Sequence, residues 1–405
     1  MKIILYAGGN LPSSGTGGPL KIMDLIFNNS VSKNESYILS TKGLINRQLD
    51  KNKFSNNLNI KHIALNQLLN YGIIKQKTLA KLSSIKRDIT IVKKLKKIRD
   101  EKYIVHNLYA GNSLGLTYYL KNNNKKHIVT FQSKGSIVNE INDSHNTSKD
   151  SLFGKYMFKQ EAYVIKNANL ITFPSFASFS LMRNSHPEIE FDKLNVKIIY
   201  NGINVSQISN ILKRSERKLN DKLRIINVAQ HIEQKQIDKT LLILKELKNT
   251  IDFEFVNIGD GRLLEKNIQL SKELGLNNKV KFLGKLPYEE VIKQLFQSDI
   301  FIMTSRDVIF DLITLEAMAV GLPVLVSADG GNLELIENNI NGFLISPDKS
   351  SEIIKILTQL KNDFNFYKRI SEKAKTTILE KYTVETMCNE YYKIYEELDN
   401  MYYAQ

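Results

Sequence analysis

The stretch TSRDVIFDLITLEAMAVGLPVLVSADGGNLELIENNINGFLI, residues 304–345, decides how this chain is read. It runs as strand end, loop, short helix, strand, Gly-Gly turn, helix and Gly turn, the alternation of a parallel α/β sheet. Two helix N-termini are thereby presented at a loop edge. Unpaired amides and the helix dipole make such ends sites for anions.

The same alternation extends in both directions. Towards the amino end, strands are expected at Lys2–Ala7, Tyr37–Ser40, Ile60–Ala64, Tyr103–Asn107, Ile128–Phe131, Leu170–Phe173 and Val196–Tyr200. The carboxyl half offers Leu223–Ala229, Phe253–Ile258, Val280–Leu283, Ile300–Met303, Pro323–Val326 and Phe343–Ile345. Each set suffices for one doubly wound sheet, whose ligands sit at the carboxyl edge of the strands. A chain of 405 residues also exceeds one ordinary domain. The seam is expected between Asn201 and Lys222, a polar stretch with no strand in its second half.

The net charge of +15 is unevenly distributed. Residues 1–203 carry a balance of +17 and residues 204–405 a balance of −2, so the excess belongs to the first half. That half is expected to meet something anionic. Lys75–Lys102 concentrates the charge, with 11 Lys and Arg against 3 Asp and Glu, while Leu79, Leu82, Ile85, Ile89, Val92, Leu95 and Ile98 recur at helical spacing. Two readings of this helix are open: packing on the sheet with a solvated basic face, or also leaning on an anionic membrane surface. Cys388 is the single cysteine, which excludes an intrachain disulfide and suits a reducing compartment. With no signal-peptide pattern and no apolar run near the roughly 20 residues that span a bilayer, a cytoplasmic protein is expected, peripheral on the inner membrane face at most.

Several motifs carry chemistry. Gly15-Thr16-Gly17-Gly18-Pro19 follows the first strand and opens a helix, an arrangement suited to phosphate. His106 and Gln132 stand at the ends of neighbouring strands, on one rim. Gln132 can hydrogen-bond a hydroxyl but cannot titrate. Val228-Ala229-Gln230-His231-Ile232-Glu233-Gln234-Lys235 closes another strand on a lysine, and the amides of Leu312, Ile313 and Thr314 open the helix that bears Glu316.

Taken in this order, Leu315-Glu316-Ala317-Met318-Ala319-x-Gly321-x-Pro323-Val324, Lys235, Ile258-Gly259-Asp260-Gly261, Leu283-Gly284-Lys285-Leu286-Pro287 and Tyr200-Asn201-Gly202-Ile203 resemble the retaining glycosyltransferases of family four (glycosyl transferases group 1). The resemblance covers nearly the whole chain and is strongest from Leu223 to Ile345. It implies an α/β GT-B fold of two Rossmann-like doubly wound domains facing across a cleft. Residues 1–203 would form the acceptor-side domain, 204–222 a linker, 223–383 the nucleotide-sugar-binding domain, and 384–405 a helix returning to the first domain.

The resemblance also implies the site. The donor would be held by Gly17, Gly18, Lys235, Gly259, Lys285, Leu286, Leu312, Ile313, Thr314 and Glu316, with Lys235 on the diphosphate and Glu316 on the ribose. His106 and Gln132 would lie on the acceptor side. Lys235, Glu316 and Asp311 would carry catalysis, with no metal and no cofactor beyond the nucleotide-sugar itself. The acceptor would be a glycan, a lipid-linked molecule or a protein, in cell-surface polysaccharide or glycoconjugate biosynthesis. Nucleic acid is not expected, and a homo- or hetero-oligomer is left open.

Three positions depart from the pattern. Val308 replaces the first carboxylate of the family's Glu pair, with Asp307 and Asp311 flanking the gap; Gln132 replaces a histidine; and Gln230 replaces an arginine, for which a protonated His231 would compensate. These departures motivate a competing reading, a catalytically silent GT-B subunit that binds a partner or glycan. Asp-x-Asp, zinc-ligand spacing, a Walker A loop, a nucleophile elbow and G-x-G-x-x-G are all missing from the sequence.

Overall fold

The computed structural model describes residues 2–6, 18–29, 35–40, 43–46, 89–98, 102–108, 114–138, 151–212 and 222–403. Two compact units divide the chain. Met1–Pro174, Ser178–Ile199 and Cys388–Gln405 form the first; Ser175–Ala177 and Tyr200–Met387 form the second.

The first unit holds β1 (Lys2–Tyr6), β2 (Glu35–Ser40), β3 (Gly43–Asn46), β4 (Tyr103–Asn107), β5 (Lys126–Thr130), β6 (Leu170–Phe173) and β7 (Val196–Ile198). Their order in the sheet is β3-β2-β1-β4-β5-β6-β7. Every pair is parallel except β2 with β3. The sequence reading did not foresee β3. It is four residues long, and the Thr41-Lys42 connection lacks the Gly or Asn that signals a hairpin. The strand expected at Ile60–Ala64 lies outside the described residues.

The second unit holds β8 (Leu223–Val228), β9 (Phe253–Ile258), β10 (Val280–Phe282), β11 (Ile300–Met303), β12 (Val324–Ser327) and β13 (Phe343–Ile345). Their order is β10-β9-β8-β11-β12-β13, parallel throughout. Alternate residues fill the cores on the two faces. Ile226, Val256, Phe301 and Val324 belong to one buried cluster; Ile225, Phe255, Ile300, Ile302 and Leu325 belong to the other. Burial on both faces is why these strands read as unbroken apolar runs rather than as alternating ones.

The expected linker begins as the helix Val205–Leu212, whose Ile208 is buried in the second unit's core. Just before it, Gly202 meets the backbone of Thr383 so closely that a Cβ would lie 2.2 Å from the Thr383 carbonyl oxygen. The Asn-Gly turn therefore serves a backbone crossing, which the bridge from Ile203 to Thr383 completes. The helix Val384–Tyr403 belongs to the second unit through Met387 and to the first from Cys388 onward. No helix among the described residues is long and apolar enough to cross a membrane.

Candidate functional site

In the second unit, polar groups gather at the carboxyl ends of β8 and β11. After β8 the chain makes a short 3-10 turn, Glu233–Lys235, and Gln236 takes a left-handed φ of 44° to begin the helix Ile237–Leu247. This turn is pinned to the end of β11. The Arg306 amide donates to the Gln234 carbonyl at 2.9 Å, and the Thr304 hydroxyl donates to the Gln236 carbonyl at 2.7 Å. Lys235 is thereby aimed across the strand ends. Its Nζ donates to Asp311 Oδ2 at 2.8 Å and lies 4.0 Å from Met303 Sδ.

Asp311 opens the helix Leu312–Ala319, yet its side chain makes no capping bond. The amides of Leu312 and Ile313 head this helix, and Thr314 is fully buried in its first turn. Three polar atoms near the ion pair are buried without a hydrogen-bond partner: Gln234 Nε2, Ser305 Oγ and Thr314 Oγ1. Buried polar groups are nearly always satisfied, so these three atoms leave hydrogen-bonding capacity open in the segments that carry Lys235 and Asp311. Glu316 lies five residues into the same helix, about 7.5 Å along its axis from Asp311. It is buried and accepts a hydrogen bond from the Tyr288 hydroxyl. Burial, followed by the Glu316 charge, raises the Tyr288 pKa.

Backbone crossings set the shape of this edge. Gly259 has φ +147°, and a Cβ there would sit 1.9 Å from the Ala229 carbonyl oxygen. The Gly259 amide donates to Gly284 at 2.9 Å, which ties three strand-end loops together. Lys285 beyond it is exposed, and Leu286 packs against the core. On the other flank, Val308 is buried, its amide donating to Asp329 Oδ1 at 2.9 Å and its carbonyl accepting from Gly331 at 2.9 Å. Cβ atoms at Gly330 and Gly331 would each lie 2.0 Å from the carbonyl oxygens of Val308 and Ile309. Of the two carboxylates flanking Val308, Asp311 is the one joined to Lys235; Asp307 is exposed with φ +52°.

His231 does not compensate for the missing arginine. It is fully buried, its Nε2 bonded to Asn257 Oδ1 at 2.7 Å and its Nδ1 to Asn267 Nδ2 at 2.9 Å. An amide nitrogen can only donate, so Nδ1 accepts and the ring is neutral. Burial is the main cause lowering its pKa, against opposing contributions from Asn257 and Asp260.

In the first unit, His106 is likewise withdrawn from the rim where the sequence placed it. It is fully buried, with Nδ1 2.7 Å from the Tyr395 hydroxyl and Nε2 2.7 Å from Thr130 Oγ1. Burial, then the neighbouring His127, lowers its pKa to about 3. A strand-end position does not reveal which way the side chain points; here it points at the terminal helix. Gln132 is half-buried at the end of β5, and the segment after it is held on two sides. The Ser178 hydroxyl donates to the Ser133 carbonyl at 3.1 Å, and the Ile137 amide donates to Glu161 Oε1 at 2.9 Å. Glu161 in turn meets buried His186 at 2.8 Å. Burial lowers the His186 pKa, but Glu161 and Glu188 outweigh it and the net shift is upward. Gly18 begins the helix Gly18–Asn28, while Gly17 lies outside the described residues.

Sequence reasoning missed Asp329, Glu334 and Glu161. Asp329 stands before Gly330-Gly331, an Asx-turn signal that could have been used. Glu334 accepts the amides of Phe176 and Ala177, each at 2.8 Å, and the Tyr200 hydroxyl at 3.1 Å. Burial and then the Glu334 charge push the Tyr200 pKa up to about 12.

The architecture is that of an α/β protein with two Rossmann-like sheets, and comparison with known proteins narrows this. Residues 209–377 match the family described as Glycosyl transferases group 1. An uncharacterized glycosyltransferase of Methanocaldococcus jannaschii is 30% identical over 211 residues, 50% of this chain and 54% of that protein. The N-acetyl-alpha-D-glucosaminyl L-malate synthase of Bacillus anthracis is 24% identical over 55% of this chain and 58% of its own length. The chain thus spans little more than half the length of these two relatives. Anabaena HepE, crystallised in complex with UDP, superposes with a TM-score of 0.67 at 17% identity over 98% of this chain and 99% of that one. The sucrose-phosphate synthase of Thermosynechococcus elongatus gives 0.67 at 14% identity over 99% of both chains. The fold is GT-B, and the region that matches the glycosyl transferases group 1 family, residues 209–377, falls in the second unit.

Proposed function

We propose that the protein is a retaining, metal-independent glycosyltransferase of family four that moves a hexosyl group from a nucleotide-diphosphate sugar to a glycan, lipid-linked or protein acceptor. One observation carries the reading: the Lys235–Asp311 pair at the start of the helix Leu312–Ala319, flanked by buried polar atoms without partners. In the transfer, the bond between the anomeric carbon and the β-phosphate oxygen breaks while the acceptor hydroxyl bonds that carbon on the same face. The hydroxyl's proton passes to the departing phosphate. Negative charge grows on the diphosphate, and Lys235 with the amides of Leu312 and Ile313 stabilises it. Glu316 grips the ribose hydroxyls, and Gly259, Lys285 and Leu286 border the base.

A nucleotide-sugar donor is supported by the UDP-bound Anabaena neighbour. A role in polysaccharide biosynthesis is supported by the amylovoran biosynthesis glycosyltransferase of Erwinia amylovora, 27% identical over 64% of this chain and 60% of that protein. Gln132 is assigned to the acceptor. The described part of the basic helix buries Ile91 and Leu95 and exposes Lys93, Lys96 and Lys97, which supports contact of this cytoplasmic protein with an anionic membrane face. The rest of this segment, residues 75–88 and 99–101, lies outside the described residues.

The test is release of nucleoside diphosphate from a panel of sugar nucleotides with a lipid-linked or glycan acceptor. Turnover that survives EDTA and keeps the donor's anomeric configuration is expected. Donor binding without turnover under all conditions would instead favour the silent subunit. Vesicles containing anionic lipid should retain the protein at low salt; no retention would sink the membrane contact alone.

A further inference from the structure

Asp311 occupies an unusual place. A carboxylate before the first turn of a helix ordinarily caps that helix, accepting amide protons from the turn. Here the side chain makes no such bond, and its Oδ2 sits 2.8 Å from Lys235 Nζ. The pair is accessible, the two side chains being 22% and 25% exposed. Lys235's other neighbour is the Met303 thioether, a weak acceptor. In the segments that carry them, Gln234 Nε2, next to Lys235, Ser305 Oγ, in the loop after β11, and Thr314 Oγ1, in the first turn after Asp311, are buried without partners. A cation, a helix start and unsatisfied hydrogen-bonding atoms suit a multiply charged anion, and the protein has set a carboxylate of its own on that cation.

We propose that Asp311 competes with the donor's diphosphate for Lys235, and that its displaced carboxylate then accepts a hydrogen bond from a hydroxyl of the sugar being transferred. The inference rests on the glycosyltransferase reading and deepens it. Partly exposed ion pairs are weak, about 0.2–1 kcal/mol, so a diphosphate with more charge and several oxygens can displace the carboxylate. The consequence is discrimination. A bare nucleoside diphosphate must overcome Asp311 and gains nothing from it, whereas the intact sugar nucleotide regains a hydrogen bond. Asp311 thus lowers affinity for product relative to donor, which favours product release.

The experiment is calorimetric titration of the full-length protein with UDP, GDP and ADP and with their glucose esters, comparing the native protein with Asp311→Asn. The variant should bind the preferred nucleoside diphosphate about 1.5- to fivefold more tightly. The glucose ester should gain less or lose affinity, so that the ratio between the two ligands moves. Asp311→Ser, which keeps an oxygen at the helix start, should shift the ratio in the same direction and carries the test if Asp311→Asn melts early. In a Lys235→Met background the Asp311 substitution should no longer tighten binding of the nucleoside diphosphate. Unchanged or weaker diphosphate binding, or equal shifts for both ligands, would overturn the proposal while leaving the glycosyltransferase reading in place. If neither protein binds any member of the panel, the glycosyltransferase reading itself fails and this proposal goes with it.

Discussion

Two strand-end polar groupings, one beside β4 in the first unit and one beside β8 and β11 in the second, are arranged in opposite ways. Beside β4 in the first unit, a chain runs from Tyr395 through His106 and Thr130 to Thr172, with separations of 2.7, 2.7 and 2.5 Å, and both ring nitrogens are engaged. Beside β8 and β11 in the second, Lys235 and Asp311 are a quarter exposed, and Gln234, Ser305 and Thr314 in the same segments each keep a buried atom without a partner. A closed polar network holds a fold together, whereas an open one leaves bonding capacity for something outside the chain. By this criterion His106 is a structural group and Lys235 the candidate for function, although sequence position alone had put both at strand ends.

The contrast breaks first at Lys235. Lys235→Ala should lower kcat/KM for sugar transfer by about 10²–10³-fold, or 2.7–4 kcal/mol, while leaving the melting temperature nearly unchanged. A variant that keeps its turnover would remove the second unit's claim to the chemistry.

His106→Leu should do the converse, destabilising the protein by about 1–3 kcal/mol because Tyr395 and Thr130 lose buried partners. Denaturant unfolding reads this out. An unfolding midpoint equal to that of the native protein would show that the network contributes nothing.

The acid side of the stability profile sharpens the same point. Because the folded pKa of His106 is held at about 3, below its unfolded value near 6.5, the unfolded chain binds the extra proton as pH falls. Stability is therefore full above about pH 6.5 and is lost down to about pH 3, with His106 accounting for about 1.4 kcal/mol per pH unit in that window. His106→Gln should flatten the slope by one proton's worth, with His127, also held at about 3 by burial, and His231, lowered mainly by burial, contributing in the same sense. Equal slopes would mean that His106 is protonated in the native state.

The smallest effect belongs to Thr314→Val. Removing a buried hydroxyl that has no partner should leave the free protein's stability within about 0.5 kcal/mol, yet weaken UDP binding by about 0.5–1.5 kcal/mol. A large loss of stability with unaltered binding would place Thr314 among the closed networks.

The second sheet was legible because strands covered on both faces write their boundaries in apolar residues, and Leu223, Phe253, Ile300 and Phe343 begin strands as expected. Lys235 and Asp311 stood out individually, but a pairing across 76 residues is set by how the loops cross and has no local signature. His106 and His231 were misjudged for a related reason. Their neutrality comes from partners on distant elements, Tyr395 and Asn267 respectively, that no spacing rule brings near. The hairpin partner β3 escaped because backbone pairing at a sheet edge asks little of side-chain type.

The crossing of Val308 and Ile309 over Gly330 and Gly331 has a consequence for re-engineering. With a carbonyl of the other loop taking the place of each glycine's absent side chain, and with Asp329 gripping the Val308 amide, the two loops form one interlocked cassette. Transplanting residues 304–314 from a relative to alter sugar preference should yield an insoluble or inactive chimera unless residues 327–332 travel with them.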